Sequence, residues 1–144
     1  MLRVPTFVAP SRIAGVGLFA AKNLPDDTIV WEFTEGVDWR IAPEELLAFP
    51  EPYLGRLRHY LYQEDSGMYV LCGDNAKFMN HADEPNCDDT DEAYTITRRA
   101  IQAGEELTCD YRLIDRAAKK MGVAFPPVAE PDAARRRERV RRRA

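Results

Sequence analysis

Apolar residues along this 144-residue chain come in short runs separated by Pro, Gly and Asp, and few follow the 3.6-residue period of a long helix. Residues 4–9 and 16–20 predict two strands around a loop from Pro10 to Gly15. Leu24-Pro25-Asp26-Asp27 has the chemistry of a turn. Thr28 to Phe33 is rich in β-branched and aromatic residues and predicts a strand. Met68 to Cys72, Tyr94 to Arg99 and Glu106 to Thr108 predict further strands, with turns at Gly73-Asp74 and Gln102-Ala103-Gly104. Helical patterning is sparse. Pro43 and two acids precede Leu46 and Leu47, as a first helical turn prefers. Tyr53 to Tyr62 places Leu54, Leu57 and Leu61 on one side of a helix. Ala76 to Met79 suits a helix-like turn, and Leu113 to Met121 a helix stopped by Gly122. Pro126, Pro127 and Pro131 then break regular structure. Many short strands with few helices predict a small, mainly β domain.

The length fits one domain with a modest core. No apolar window approaches the ~18 residues of a membrane span, and the N-terminus shows no long apolar segment of a secretory signal. Cys72, Cys87 and Cys109 are widely spaced and odd in number, which argues against a disulfide framework and for a reducing, intracellular and cytoplasmic setting, with nuclear or nucleoid association open. The net charge of −4 is uneven. Residues 135–144 hold seven Arg and one Glu, a net +6, so the other 134 residues carry −10. An acidic body favours a basic partner, although acidic surfaces also serve solubility alone.

Three segments carry candidate chemistry. Lys77-Phe78-Met79-Asn80-His81-Ala82-Asp83-Glu84-Pro85-Asn86-Cys87 packs Asn, His, Pro and Asn into a few residues. Gly104-Glu105-Glu106-Leu107-Thr108-Cys109-Asp110-Tyr111 ends a strand-like run on a tyrosine. Ser11-Arg12-Ile13-Ala14-Gly15-Val16-Gly17-Leu18-Phe19-Ala20 holds a G-x-G. Taken singly, the glycine pair is an ordinary turn, His81 a structural histidine and Tyr111 a packing aromatic. His81 lacks the companion ligands that zinc requires.

In this order the segments resemble the motifs of the SET-domain protein-lysine methyltransferases, approximately R-F-x-N-H-S-x-x-P-N and G-E-E-L-x-x-D-Y after an opening G-x-G. The resemblance covers roughly residues 5–115. It implies a β-clip-type fold of small curved sheets with a C-terminal pseudoknot, in a domain over residues 1–115 with a variable insert at about 42–66. Residues 116–144 would form a C-terminal helical segment and Arg-rich tail. It implies S-adenosylmethionine as methyl donor on one face, and on the other a channel for the target lysine of a protein or peptide substrate; the acidic body adds the expectation of a basic peptide or DNA-associated protein as that substrate. Gly15 and Gly17 would border the donor's methionine part. Asn80 would bond its amino-acid end, and the His81 backbone its adenine. Asn86, after Pro85, suits a brace of the pseudoknot.

Tyr111 would be the central catalytic residue and would also touch the donor. The nucleophile must be a neutral amine, whereas lysine has a reference pKa of about 10.4. An apolar aromatic channel lowers that value by penalising the charge. The phenol could then orient the lone pair and accept C–H···O contacts from the polarised methyl, so that alignment is the site's main contribution. Tyr60, Tyr62, Tyr69, Tyr94 and Cys109 are candidates for the substrate channel, with core packing the alternative role of each tyrosine.

Departures from the pattern carry information. Ala82 stands where serine is common, and Asp83 where zinc-dependent members have cysteine. No cysteine follows Tyr111, so no structural metal is expected. The channel would be closed instead by Leu113 to Met121 with Val123-Ala124-Phe125, or by a homodimer. Cys109 replaces a Phe or Tyr common in the family, leaving room for di- or trimethylated products. The Arg-rich end admits a solvated tail, a phosphate-binding nucleic-acid contact or a localisation signal. A non-catalytic SET-like module that binds S-adenosylmethionine or a peptide is the alternative function.

Overall fold

A computed structural model describes residues 1–116. Ten short strands are joined by turns: β1 (Thr6–Pro10), β2 (Val16–Ala20), β3 (Ile29–Glu32), β4 (Trp39–Ile41), β5 (Leu61–Gln63), β6 (Tyr69–Leu71), β7 (Asn80–His81), β8 (Cys87–Asp91), β9 (Tyr94–Thr97) and β10 (Glu106–Cys109). Three short helices accompany them, α1 (Pro43–Leu47), α2 (Tyr53–Leu57) and α3 (Tyr111–Ile114). The strands form three small sheets, in the orders β1-β2-β10-β7, β3-β9-β8 and β4-β6-β5. No described helix is long and apolar enough to cross a membrane.

The first sheet positions the three motifs. β1 and β2 make a hairpin with Pro10 opposite Val16. Gly15 closes its turn at φ +48°, a left-handed conformation that favours glycine. Ser11 Oγ accepts from the Ile13 N–H at 2.8 Å. β10 pairs antiparallel with β2, burying Leu107 beside Leu18. On its other side β10 runs parallel to β7, with Thr108 opposite Asn80 and Cys109 opposite His81. Leu18, Val30, Ile101 and Leu107 are fully buried and form the core with Cys87 and Cys109.

Asn86 ties the chain after β7 to β10. Its Nδ2 donates to the Glu106 carbonyl at 2.7 Å and to Glu105 Oε1 at 3.2 Å. Its Oδ1 accepts from the Thr108 N–H at 2.9 Å. One buried side chain thus satisfies main-chain groups on a segment twenty residues away, which fits a brace.

The second sheet is irregular at its centre. Asp88 faces Ile96 and Asp91 faces Tyr94, so Asp89 and Thr90 together oppose Thr95. Across β9, Ile29 faces Ile96 and Trp31 faces Thr95, leaving Val30 as the extra residue. Both neighbours of β9 therefore bulge beside Thr95. Bulges of this kind re-aim side chains and concentrate near functional sites.

Two expectations are corrected. The helix predicted over Tyr53 to Tyr62 ends at Leu57, passes through a 3₁₀ turn at Arg58–Tyr60 and becomes β5. Leu61 pairs with Leu71 and Gln63 with Tyr69, so this backbone is satisfied by β6 and not by local bonds. The helix predicted from Leu113 starts earlier, with Asp110 accepting the Arg112 N–H at 3.0 Å as its cap. Asp115 is already extended at φ −97° and ψ 111°. The rest of that predicted helix, the 123–125 flap and the Arg-rich end lie outside the described residues.

Candidate active site

Asn80 sits at the edge of the first sheet, where β7 meets the hairpin turn. Its Nδ2 lies 2.8 Å from Glu106 Oε1, 3.0 Å from the Val16 carbonyl and 3.2 Å from the Ala14 carbonyl. The other oxygen of Glu106 accepts from Ser11 Oγ at 2.9 Å. Gly17 lies against the same carboxylate, and a Cβ there would stand 2.1 Å from Glu106 Oε1. The G-x-G turn, the first residue of the Asn-His pair and the second Glu of the third motif thus form one polar knot, although 66 residues separate Ala14 from Asn80.

His81 and Tyr111 form the adjoining corner. The Tyr111 N–H donates to His81 Nδ1 at 3.2 Å, and the rings lie 5.4 Å apart. In its neutral form His81 therefore carries its proton on Nε2, which faces Asp83 at 3.6 Å. The imidazole fixes the point where β10 turns into α3. Asp110 is held in a fork by Arg112, at 2.6 Å from both Nε and Nη2. The Tyr111 hydroxyl donates to the Met79 carbonyl at 2.7 Å. Burial pushes the phenol above its ordinary range, so it stays protonated at neutral pH. The residue is 39% exposed overall, so that effect belongs to the inner hydroxyl end.

Behind this corner lies a cavity of about 330 Å³. Tyr60, Tyr62, Cys109 and Tyr111 line it, together with Met79, Trp31 and Thr95. Tyr60 meets Phe78 edge-on at 5.9 Å. Burial pushes Tyr62 and Cys109 far up and Cys72 up to about 12, so these walls are uncharged at neutral pH. Two buried polar atoms of lining residues have no hydrogen-bond partner among the described residues, Trp31 Nε1 and Asp89 Oδ1. Desolvation raises the Asp89 carboxyl to about 6, against the opposing effect of hydrogen bonds from Thr95 and Cys109. Asp65, Asp91, Glu92 and Asp115 add acidic lining.

The predicted residues therefore fall into two adjoining groups. Gly15, Gly17, Asn80 and His81 make the polar knot and its corner, while Tyr60, Tyr62, Cys109 and Tyr111 line the cavity. Tyr69 and Tyr94 are not on the cavity wall. Successive strand residues face opposite ways: Thr95, next to Tyr94 on β9, lines the cavity, and past Tyr69 it is Cys72, just after β6, that does so. Sequence reasoning missed Asp89. The run Cys87-Asp88-Asp89-Thr90-Asp91 lacks apolar alternation and gives no strand signal; its only cue is its position directly after Pro85-Asn86. Among the described residues, no group of three or more His, Cys, Asp or Glu is placed to hold a metal ion.

The SET domain family model matches residues 15–112. Human histone-lysine N-methyltransferase 2D is 33% identical over 114 residues, which cover 74% of this chain and 2% of that protein. A Schizosaccharomyces pombe histone-lysine N-methyltransferase specific for H3 lysine 4 is 31% identical over 121 residues, covering 76% of this chain and 13% of that protein. The chain thus spans a small part of these relatives. A solved Plasmodium falciparum structure, assigned provisionally as a histone methyltransferase, superposes with a TM-score of 0.56 at 21% identity, covering 76% of this chain and 95% of that one, which shows a shared fold.

Proposed function

This chain belongs to the SET domain family, and from that premise we propose that it transfers a methyl group from S-adenosylmethionine to lysine side chains of protein substrates. The residues present fit the donor. Among the described residues Asn80 Oδ1 accepts no hydrogen bond, and Asn80 stands beside the Glu106 carboxylate and the Ala14 and Val16 carbonyls. Such an acceptor-rich cradle suits the ammonium of an amino acid. Gly15 and Gly17 keep its rim free of side chains. When bound, S-adenosylmethionine supplies a methyl group carried on a sulfonium.

The observation that carries this reading is the Tyr111 hydroxyl. Its single proton is committed to the Met79 carbonyl, so its lone pairs are left for the cavity. A phenol held this way accepts weak contacts from a polarised methyl and fixes the approach of an amine. The aromatic walls suit a lysine stem, and the acidic lining suits a basic peptide. The histone-lysine methyltransferase relatives support a protein substrate. Cys109 on β10 presents a small side chain to the cavity, which supports di- or trimethylation. The three free thiols support a reducing, intracellular setting.

Tritiated methyl transfer to core histones and to arrayed lysine-bearing basic peptides tests the proposal. Label should appear on lysine, and calorimetry should show donor binding that Asn80→Ala weakens. Donor binding without transfer to any lysine would leave a binding module in place of an enzyme.

A further inference from the structure

Resting on the methyltransferase reading, we propose that Asp89 receives the substrate lysine: its carboxylate pairs with the incoming ammonium and takes one proton from it, leaving the neutral amine for methylation. Two residues of β8 oppose the single Thr95, so the strand cannot keep its alternation there. Asp88 holds the bulge by accepting from the Thr90 N–H at 2.9 Å and the Thr90 hydroxyl at 2.6 Å. Asp89, the next residue, lines the cavity that Tyr111 and Cys109 also line. Its Oδ1 is buried and has no hydrogen-bond partner among the described residues, although Thr95 and Cys109 bond the carboxyl group.

A buried carboxylate oxygen without a partner is costly and calls for a role. No Lys, Arg or His among the described residues shifts its charge state. Titratable groups of the same cavity include His59, Asp65, Asp91, Glu92 and Asp115, and Cys87 on β8 also interacts with Asp89. Asp88 lies on the same strand, Cys109 on β10, Tyr62 on β5, Cys72 after β6 and Tyr111 on α3. Lys77 lines the cavity with its Nζ 5.5 Å from the Phe78 ring. Burial keeps the thiols and phenols neutral, so the carboxylates of the lining, Asp89 with Asp65, Asp91, Glu92 and Asp115, supply its negative charge. A lysine entering the cavity brings Asp89 a cationic partner, which Lys77, over the Phe78 ring, does not supply.

The proton step balances. One N–H bond of the ammonium breaks and one O–H bond forms on Asp89, so a plus–minus pair becomes a neutral amine and a neutral acid. The low-dielectric walls disfavour the ion pair and help the transfer. The carboxyl at about 6 is already raised toward the amine it must deprotonate. After turnover the proton leaves to solvent, and the carboxylate is restored.

Two measurements on the full chain test this. In the first, n-butylammonium is titrated by NMR at pH 5 and pH 7.5. Binding should be tighter at pH 7.5, where Asp89 is ionised, and should weaken at least ~10-fold in Asp89→Asn. In the second, kcat/KM for methyl transfer to a lysine peptide is followed from pH 6 to pH 9.5. Asp89→Asn should lower it about 10²-fold at pH 7, and the deficit should shrink as pH approaches the lysine pKa. Asp89→Glu should recover part of the loss, with melting curves confirming that each variant folds. Asp89→Asn that transfers methyl groups at the parent rate at pH 7, or that binds n-butylammonium equally well, overturns the proposal. A parent chain that binds n-butylammonium through Asp89 but never transfers a methyl group overturns the enzymatic reading and leaves the ammonium site standing.

Discussion

The hydroxyl of Tyr111 and the main-chain carbonyl of Met79 are 2.7 Å apart, and this bond joins the end of the third motif to the residue before the Asn-His pair. Because the carbonyl is part of the backbone, its position does not depend on a rotamer. The phenol is thereby aimed before any ligand arrives.

Tyr111→Phe keeps the ring against His81 and removes the aimed oxygen. Methyl transfer should fall on the order of 10²-fold in kcat, the cost expected of lost alignment. Donor affinity measured by calorimetry should change little. A variant with parental kcat would remove Tyr111 from the chemistry.

Asn86→Ala tests the connection that holds the site together. The side chain serves the Thr108 N–H at 2.9 Å and the Glu106 carbonyl at 2.7 Å, and the residue is 4% exposed. Its loss leaves buried main-chain groups unpaired, at roughly 1–3 kcal/mol each. Urea unfolding should show a destabilisation of about 2–4 kcal/mol. Asn86→Asp should recover only part of this, since it keeps the acceptor for Thr108, loses the donor to Glu106 and sets a second carboxylate beside Glu105. A stability within ~0.5 kcal/mol of the parent for Asn86→Ala would show that β10 is held by other contacts.

Cys109→Tyr addresses product number. Cys109 is 3% exposed and lines the cavity two residues before Tyr111. Mass spectrometry of the parent's product should show di- or trimethyl-lysine, and the variant should stop at monomethyl-lysine. Overpacking costs ~1–3 kcal/mol, so the variant's melting temperature must be recorded with its product. Monomethylation alone by the parent, with the variant no more restrictive, would end the size argument.

The three motifs were legible because each carries residues with narrow backbone or hydrogen-bonding demands. Gly15 does stand at positive φ, Asn80 does reach the G-x-G turn, and Tyr111 does follow the strand they share. The hairpin of residues 6–20 was legible from its apolar runs and glycine turn. The segment from Leu61 to Gln63 was not, because its partner Tyr69–Leu71 decides its state and helical spacing of leucines cannot report a distant partner. β8 was hidden for a different reason. Four of its five residues are polar, and the burial of Asp88 and of Asp89 Oδ1 is set by a bulge that no alternation rule anticipates. The cavity's partly unpaired carboxyl thus lay in a stretch with little strand-like composition.

That environment gives a pH signature for stability. The folded-state carboxyl of Asp89 is raised to about 6 from an ordinary 3.8, with desolvation as the main cause. Between those values the folded chain holds more proton than the unfolded chain, so this group's contribution to stability falls as pH climbs from about 4 to about 6. Above pH 6 its penalty is fully present. Asp89→Asn removes a group that must ionise in a buried site. Its gain in stability over the parent should be near zero at pH 4 and on the order of 1–2 kcal/mol at pH 7.5, a rise of a few °C in Tm. Melting curves across that range decide the matter: a gain of equal size at both ends would place its origin in packing, and no gain at pH 7.5 would mean that the carboxylate is solvated well enough to carry its charge without cost.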